Sequence, residues 1–279
     1  MNERHLMIDG VRVPRFLYGT AWKEDATERL TGLALAAGFR GIDTANQRKH
    51  YHEAGVGAAL RACAVPRDEL FLQTKFTFRP GQDDRLPYDP AAPVAEQVEQ
   101  SFASSLAHLG VDTIDSFVLH GPSRGDGLGP PDWEAWRAME SLHATRRVTL
   151  LGVSNVTADQ LRLLCEGARV KPRFVQNRCH AVRGWDRDVR AVCAAEGITY
   201  QGFSLLTANR QVLAHPDVQR IAERHGRSPA QVVFRFALDL GMLPLTGTTD
   251  PAHMRVDLDV FDFALDADEV RRIDGITGR

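Results

Sequence analysis

The stretch GIDTANQRKHYHEAGVG, residues 41–57, contains the features around which the rest of the chain can be interpreted. It begins with a short apolar run, residues 41–45, that is typical of a buried strand. It continues through a polar loop into an amphipathic helix that we expect to begin near Glu53. A carboxylate, Asp43, lies on the predicted strand, and a phenol, Tyr51, lies in the loop. The stretch therefore predicts one strand–helix unit of a larger array, with reactive groups at the end of the strand.

The same alternation of apolar and amphipathic runs continues along the chain, with a spacing of ~30 residues. Residues 6–8 and 11–13 have the pattern of a hairpin, because Asp9-Gly10 between them is a typical type I′ turn pair. Eight strands are predicted at residues 16–20, 41–45, 70–75, 116–120, 148–153, 174–177, 198–204 and 242–246. Helices are predicted at residues 27–37, 53–63, 94–109, 132–143, 157–167, 186–196, 216–225, 228–240 and 266–273, with another that begins near Pro251. This order predicts an α/β fold, a closed (β/α)8 TIM barrel with an N-terminal β-hairpin.

The composition limits the class of protein. The chain has 279 residues, of which 43% are hydrophobic, and a formal net charge of −2. This is sufficient for one buried core, so residues 1–279 are expected to form a single barrel domain. The charge gives no reason to expect nucleic acid or a membrane surface as a partner. No apolar run approaches the roughly 20 residues of a membrane helix.

The N-terminus and the cysteines indicate a compartment. The polar N-terminal residues lack the apolar core of a signal peptide. The four cysteines are scattered without a C-x-x-C pair, which is typical of reduced, buried thiols. We therefore expect a cytoplasmic protein, either a monomer or a weak homo-oligomer.

Polar side chains end four of the predicted strands: Asp43, Lys75, His120 and Asn155. In a parallel barrel the C-terminal ends of the strands form one rim, where active sites lie. A lysine or histidine at the end of an apolar strand is costly to bury without a partner. A single residue of this kind is more often structural, but four on one rim predict an active site.

These segments together resemble the aldo-keto reductase family. GFRGIDTA (38–45), FLQTK (71–75) and VLHGP (118–122) are similar to the family's aspartate, lysine and histidine strands. GVSN (152–155) and VQN (175–177) are similar to its amide-binding segments, and VFDF (260–263) to the segment after its last cofactor contacts. The resemblance implies an NAD(P)H-dependent oxidoreductase that reduces an aldehyde or ketone to the alcohol by hydride transfer.

The resemblance also implies roles for individual residues. Tyr51 would give a proton to the carbonyl oxygen, and Lys75 would lower the pKa of this phenol from its usual value near 10. Asp43 would hold Lys75, and His120 would donate a hydrogen bond to the carbonyl oxygen. The expected substrate-binding residues are Trp22, Tyr51, Phe76 and His120, and no metal is expected. The expected cofactor-binding residues are Gly19, Thr20, Asp43, Ser154, Asn155, Gln176, Phe203, Ser204, Leu206, Thr246, Gly247, Thr248, Thr249, His253 and Asp257.

The sequence departs from the family pattern at the proton donor. In the family, the proton-donating tyrosine usually lies five residues after the aspartate. That position is occupied here by Arg48, which cannot act as an acid at neutral pH. An insertion of two residues would move the position to His50, next to Tyr51. Tyr51 is the only tyrosine in this loop and is the favoured donor, with His50 as the alternative.

A second departure concerns the cofactor phosphates. Where many members of the family have Pro-Lys-Ser, this chain has Thr246-Gly247-Thr248, and His253 replaces a usual arginine. Backbone amides of residues 247–249 could still bind a phosphate, and Arg255 is near in sequence. NADPH is the expected cofactor, with NADH possible and the preference small.

The short C-terminal region predicts an open substrate pocket, unless residues 76–93 cover it. Candidate wall residues are Trp22, Phe76, Phe78, Tyr88 and Trp185. Two other functions are compatible with such a barrel, a nicotinamide-binding redox sensor without significant turnover and a lyase or isomerase unrelated to nicotinamide. The intact set of Asp43, Lys75 and His120 argues against a pure sensor.

Overall fold

The computed structural model describes residues 4–276 and contains a closed barrel of eight parallel strands preceded by an antiparallel hairpin. The hairpin consists of β1 (His5–Ile8) and β2 (Val11–Pro14). The barrel strands, in order around the barrel, are β3 (Leu17–Gly19), β4 (Gly41–Asp43), β5 (Phe71–Phe76), β6 (Ile114–Leu119), β7 (Val148–Ser154), β8 (Phe174–Arg178), β9 (Thr199–Phe203) and β10 (Leu243–Thr246). β10 pairs with β3 and closes the barrel. The predicted fold class is therefore confirmed.

Helices cover the outside of the barrel. They are α1 (Thr27–Ala37), α2 (Glu53–Ala62), α3 (Val94–Leu109), α4 (Pro130–Ala144), α5 (Ala158–Gly167), α6 (Arg187–Glu196), α7 (Arg210–Leu213), α8 (Pro216–His225), α9 (Pro229–Asp239), α10 (Pro251–Asp257) and α11 (Ala267–Asp274). Thr157 and Ser228 cap α5 and α9 by accepting hydrogen bonds from backbone amides three residues later. The sequence pattern missed α7, because four residues are too few to show a helical period. Among residues 4–276, no helix is long and apolar enough to span a membrane.

The interior of the barrel has an apolar lower layer. Leu17, Phe71, Leu150 and Phe174 pack there with Leu243 and Leu245, and Val13 of the hairpin packs against them. The rings of Phe71 and Phe174 meet edge to face, with centroids 5.8 Å apart. The hairpin therefore closes the N-terminal end of the barrel with apolar side chains.

The upper layer of the interior is polar, because side chains alternate along each strand. On β5, Phe71 belongs to the lower layer, Gln73 bonds to Gln201 across the barrel, and Lys75 bonds to Asp43. Leu72 and Phe76 of the same strand pack instead in the core between the barrel and its helices. The inward-facing side chains of β5 are therefore apolar at the N-terminal end of the barrel and end with a lysine near the C-terminal rim.

The long connection after β5, residues 77–93, packs beside the first half of the rim. Gln82 donates to the Asn46 carbonyl at 2.8 Å, and Gln47 donates to the Gly81 carbonyl at 2.7 Å. The Tyr88 hydroxyl donates to the Thr77 carbonyl at 2.8 Å. This connection is therefore tied to the loop that carries Tyr51.

Candidate active site

A buried ion pair lies at the C-terminal end of the barrel interior. The Lys75 ammonium donates to both carboxylate oxygens of Asp43, each at 2.7 Å, and to the Thr44 carbonyl at 2.8 Å. The Lys75 side chain is fully buried. Burial lowers the pKa of Lys75, while the Asp43 charge and hydrogen bond oppose that shift. An ammonium has three donors, and all three are used here.

Three glutamines surround the carboxylate from below. Gln73 and Gln176 donate to Asp43 Oδ1 at 2.7 and 3.0 Å. The same two amides also donate to Gln201 Oε1, at 2.8 and 2.9 Å. Gln201 and Ser116 donate in return to Gln73 Oε1, at 3.0 and 2.9 Å. This network fixes the carboxylate, because every one of these buried donors has an acceptor.

Tyr51 lies above the ion pair, in the loop that follows β4. Residues 47–51 form a turn in which the amides of His50 and Tyr51 donate to the Gln47 carbonyl. The turn places the Tyr51 ring 5.3 Å from Lys75 Nζ and its centroid 5.9 Å from that of His120. The His50 ring, which also borders the cavity, stacks on Trp22, with centroids 3.7 Å apart.

The expected effect of Lys75 on Tyr51 is not what the structure shows. Burial, and then the Asp43 charge, raise the pKa of Tyr51 above its ordinary value. The three hydrogens of the Lys75 ammonium go to Asp43 and Thr44, so none of them is donated to the phenol. In this structure Tyr51 is therefore a phenol that holds its proton strongly.

His120 follows β6 directly and lies beside Tyr51. Burial, and then the charges of Lys75 and His50, lower the pKa of His120 to about 3. The imidazole is therefore neutral at neutral pH and carries one proton. Its backbone is fixed on both sides, since its amide donates to the Phe76 carbonyl and its carbonyl accepts from Asn155, both at 2.8 Å.

The amide-binding segments end β7 and β8. Asn155 Nδ2 donates to the His120 carbonyl and to Ser154 Oγ, and Ser154 Oγ donates to the Gln176 carbonyl at 2.6 Å. Asn155 has a left-handed backbone, with φ of 55°. Strained residues of this kind concentrate at functional sites. Among residues 4–276, no group donates a hydrogen bond to Asn155 Oδ1 or Gln176 Oε1, so both oxygens can accept one from a ligand.

A cavity of about 1210 Å³ joins these groups to the loops after β9 and β10. Most of the residues predicted from the sequence line it. They are Gly19, Trp22, Asp43, Tyr51, His120, Ser154, Asn155, Gln176, Phe203, Ser204, Leu206, Thr246, Gly247, Thr248, Thr249, His253 and Asp257. His50, the alternative proton donor, lines it as well. The cavity therefore unites residues from most strand ends of the barrel.

Several predicted positions lie off the cavity wall. Phe76 is fully buried and packs against Phe78 and Tyr88, because it is on the helix-facing side of β5. Thr20 is also buried, and its hydroxyl donates to the Asp43 carbonyl at 3.0 Å. Trp185 packs on Phe236 in the outer core. The predictions that Phe76 contacts substrate and that Thr20 contacts cofactor are therefore wrong for this conformation.

Residues 76–93 do not cover the cavity, since none of them belongs to its wall. Of the five candidate aromatic wall residues, Trp22 lies on the wall and is 70% exposed, whereas Phe76, Phe78, Tyr88 and Trp185 do not line the cavity. The pocket is therefore open on the side where the sequence had suggested a cover.

The sequence missed a buried lysine on the wall. Lys23 is 6% exposed, and its ammonium donates to the Gly247 carbonyl at 2.7 Å. Burial lowers the pKa of Lys23 to about 8. Its charge thus reaches the position where this chain has glycine and many family members have lysine. Lys23 and Gly247 are 224 positions apart in the sequence, so a local motif does not reveal this contact.

Other cationic wall residues are Arg178 and Arg210, whereas Arg255 lies off the wall. α10 begins at Pro251, as the sequence predicts, and has a carboxylate at its N-cap. Asp250 caps it by accepting from the Ala252 amide at 2.7 Å, and the Thr248 hydroxyl accepts from the Asp250 amide at 3.2 Å. Because a carboxylate occupies this helix end, positive charge for the cofactor phosphates must come from the other side of the cavity.

The fold and the site define a TIM-barrel enzyme with its reactive groups at the C-terminal rim. The sequence model of the Aldo/keto reductase family matches residues 17–277. The chain therefore belongs to the aldo/keto reductase family, and it is an NAD(P)H-dependent oxidoreductase that acts on carbonyl compounds.

Individual relatives agree with this assignment. The uncharacterized oxidoreductase YtbE of Bacillus subtilis (strain 168) is 31% identical over 274 residues, which cover 96% of this chain and 90% of that protein. An aldo-keto reductase of Mycolicibacterium vanbaalenii is 33% identical over 243 residues, or 87% and 80% of the two chains. Among solved structures, an aldo-keto reductase from a Medee basin deep-sea metagenome library superposes with a TM-score of 0.85 at 25% identity, and covers 98% of this chain and 96% of its own.

The lowered pKa of His120 predicts a pH dependence of stability. The unfolded histidine takes up a proton below its ordinary pKa of about 6.5, whereas the folded one does so only near 3. Stability is therefore present above about pH 6.5 and is lost as pH falls toward the folded pKa, by up to about 1.4 kcal/mol per pH unit. His120→Gln should flatten this part of the curve, as measured by urea unfolding between about pH 4 and 7.

His143→Gln on α4, outside the cavity wall, is the control for removal of a histidine. Parallel curves for His120→Gln and the wild-type protein would contradict the assignment of a strongly depressed pKa to His120.

Proposed function

We propose that this protein reduces an aldehyde or ketone with NADPH and that Tyr51 supplies the proton. The observation that supports this most is the position of two available donors above the Lys75–Asp43 pair. Tyr51 and His120 both line the cavity. Within residues 4–276, neither the Tyr51 hydroxyl nor His120 Nε2 hydrogen-bonds to another protein group, so both can bind a carbonyl oxygen.

The residues at one end of the cavity fit a nicotinamide carboxamide. Asn155 Oδ1 and Gln176 Oε1 are free acceptors on neighbouring strand ends, and a carboxamide NH₂ group has two donors. Phe203, at the end of β9, lines the same cavity and offers an aromatic face. When bound, the reduced nicotinamide supplies the hydride that the carbonyl carbon accepts.

Tyr51 is suited to act as an acid. The phenol holds a proton at neutral pH, lies beside His120 in the cavity, and can give that proton to the more basic alkoxide that develops at the carbonyl oxygen. Lys75 and Asp43 form an ion pair below the Tyr51 ring. Their hydrogen bonds hold both charged groups in place.

His120 is suited to bind the carbonyl oxygen as a neutral donor. Its pKa of about 3 excludes a competing imidazolium at neutral pH. A preorganised donor aimed at an oxygen where charge develops stabilises the transition state more than the ground state. His120 and Tyr51 would thus hold the same oxygen from two sides.

Tyr51→Phe should retain the fold and cofactor binding but lower kcat for aldehyde reduction by two decades or more, because general acid catalysis contributes roughly 10²–10⁴-fold. The measurement is the loss of NADPH absorbance with a panel of aldehydes and ketones. Cofactor binding is measured separately by fluorescence titration.

His50→Ala is the matched comparison, since His50 is adjacent in the loop and bonds to Gln47 at 2.8 Å. It should reduce the rate much less than Tyr51→Phe does. Near-full activity in Tyr51→Phe together with loss of activity in His50→Ala would show that the imidazole, and not the phenol, is the donor.

The cofactor preference is proposed from the charges on the cavity wall. Lys23, Arg178 and Arg210 can attract the cofactor phosphates. The preference for NADPH over NADH should be small, because position 247 carries no charge and Arg255 is off the wall. Lys23 would then provide most of the fixed charge near Gly247.

Lys23→Met should weaken NADPH binding by one to two decades, since a charge-assisted hydrogen bond contributes about 1.5–3 kcal/mol. Lys49→Met, which removes an exposed lysine outside the cavity, should have no effect. The measurement is direct titration with NADPH and NADH. Equal or tighter binding of NADH by the wild-type protein would refute the preference, and unchanged binding in Lys23→Met would refute the role of Lys23.

A further inference from the structure

We propose that the Thr77 hydroxyl positions His120 by donating a hydrogen bond to its Nδ1, and so keeps the single imidazole proton on Nε2, where it faces the substrate. The inference rests on the proposed function, in which His120 binds the carbonyl oxygen. Thr77 itself is a positioning residue and is not on the cavity wall. It follows β5 directly, two residues after Lys75.

The contact is short and exclusive. Thr77 Oγ1 and His120 Nδ1 are 2.7 Å apart. Across residues 4–276, this is the only hydrogen bond of the Thr77 hydroxyl and the only one of either ring nitrogen of His120. Thr77 is 6% exposed, so solvent has little access to its hydroxyl.

The direction of this hydrogen bond follows from counting protons. A neutral imidazole has one N–H, and a hydroxyl has one donor together with acceptor lone pairs. If Nδ1 held the proton, Thr77 Oγ1 would accept, and its own hydrogen would be left without an acceptor in a buried place. If Nε2 holds the proton, Thr77 donates to Nδ1, and both groups are satisfied.

The second arrangement is also the one that the proposed reaction needs. A protonated Nε2 donates to the carbonyl oxygen, whereas an unprotonated Nε2 would present a lone pair to it. The second ring nitrogen of a histidine commonly determines in this way which nitrogen carries the proton. Thr77 would therefore select the tautomer that can bind the substrate oxygen.

Thr77 is held firmly enough for this task. Its carbonyl accepts from the Tyr88 hydroxyl at 2.8 Å and from Gln82 Nε2 at 3.4 Å. Its methyl group lies close to Gly81, where an added Cβ would be 2.7 Å from Thr77 Cγ2. The connection of residues 77–93, which does not cover the cavity, thus has a different role: it fixes the residue that orients His120.

The His120 backbone is already fixed by the Phe76 carbonyl and by Asn155. What remains to be determined is the orientation of the ring and the site of its proton. A single hydrogen bond from Thr77 to Nδ1 sets both.

The test compares Thr77→Val, which keeps the shape and removes the hydroxyl, with Thr77→Ser, which keeps the hydroxyl. Thr31→Val on α1 is the control, because the buried Thr31 hydroxyl has no partner. Nitrogen-15 NMR of the imidazole rings in the full-length protein reports the proton position. A His120→Gln spectrum identifies the His120 resonances by difference. Steady-state reduction of an aldehyde with NADPH is measured on the same samples.

In the wild-type protein, His120 Nδ1 should resonate as an unprotonated nitrogen that accepts a hydrogen bond, and Nε2 as a protonated one. Thr77→Val should move the Nδ1 resonance to that of an unprotonated nitrogen without a donor. It should lower kcat about tenfold, less than the 10²–10³ for outright loss of such a donor, and leave KM for NADPH unchanged. Thr77→Ser should restore both, and Thr31→Val should change neither.

A wild-type spectrum with the proton on Nδ1 would overturn the proposal. So would an unmoved Nδ1 resonance in Thr77→Val, or a Thr77→Ser variant as slow as Thr77→Val. A wild-type protein that reduces no carbonyl would contradict the proposed function instead. In that case the spectra of the wild-type protein and Thr77→Val still decide whether Thr77 sets the tautomer.

Discussion

The ion pair between Lys75 and Asp43 is the interaction on which the rest of the site depends. Two charges inside a barrel are costly to desolvate, and they are tolerated only when their remaining donors and acceptors are satisfied. Here Lys75 uses all three of its hydrogens, and Asp43 Oδ1 also accepts from Gln73 and Gln176. The requirement to satisfy this pair explains why the upper barrel interior is polar, and Gln176, which donates to Asp43, also lines the cavity.

The same pair determines the proton chemistry above it. Burial and then the Asp43 charge raise the pKa of Tyr51, whereas burial and then the Lys75 charge lower the pKa of His120. Both groups are then neutral donors in one cavity, which favours delivery of a proton to a carbonyl oxygen. A redox sensor without turnover would have no need of two such donors, so their arrangement supports the enzymatic proposal over that alternative.

The sequence predicted the features that follow from the periodicity of apolar residues and from the order of strands and helices. Alternation along the strands indicated the barrel, and the strand-end positions of Asp43, Lys75, His120 and Asn155 indicated the rim. Phe76 was misjudged because one step along β5 reverses the face of the sheet. Lys23 and Thr77 were missed because their partners, Gly247 and His120, are distant in sequence and become neighbours only when the barrel closes. The effect of Lys75 on Tyr51 could not be predicted, since it depends on which acceptors take the three hydrogens of the ammonium.

We propose that hydride is transferred to a carbonyl carbon in this barrel while residues of the barrel supply the proton. The most direct measurement supplies NADPH deuterated at the transferable position together with a panel of aldehydes and ketones, and analyses the products by mass spectrometry. We expect an alcohol with one deuterium on the carbinol carbon for each NADPH consumed. Saturable NADPH binding without deuterium transfer to any compound of the panel would contradict it.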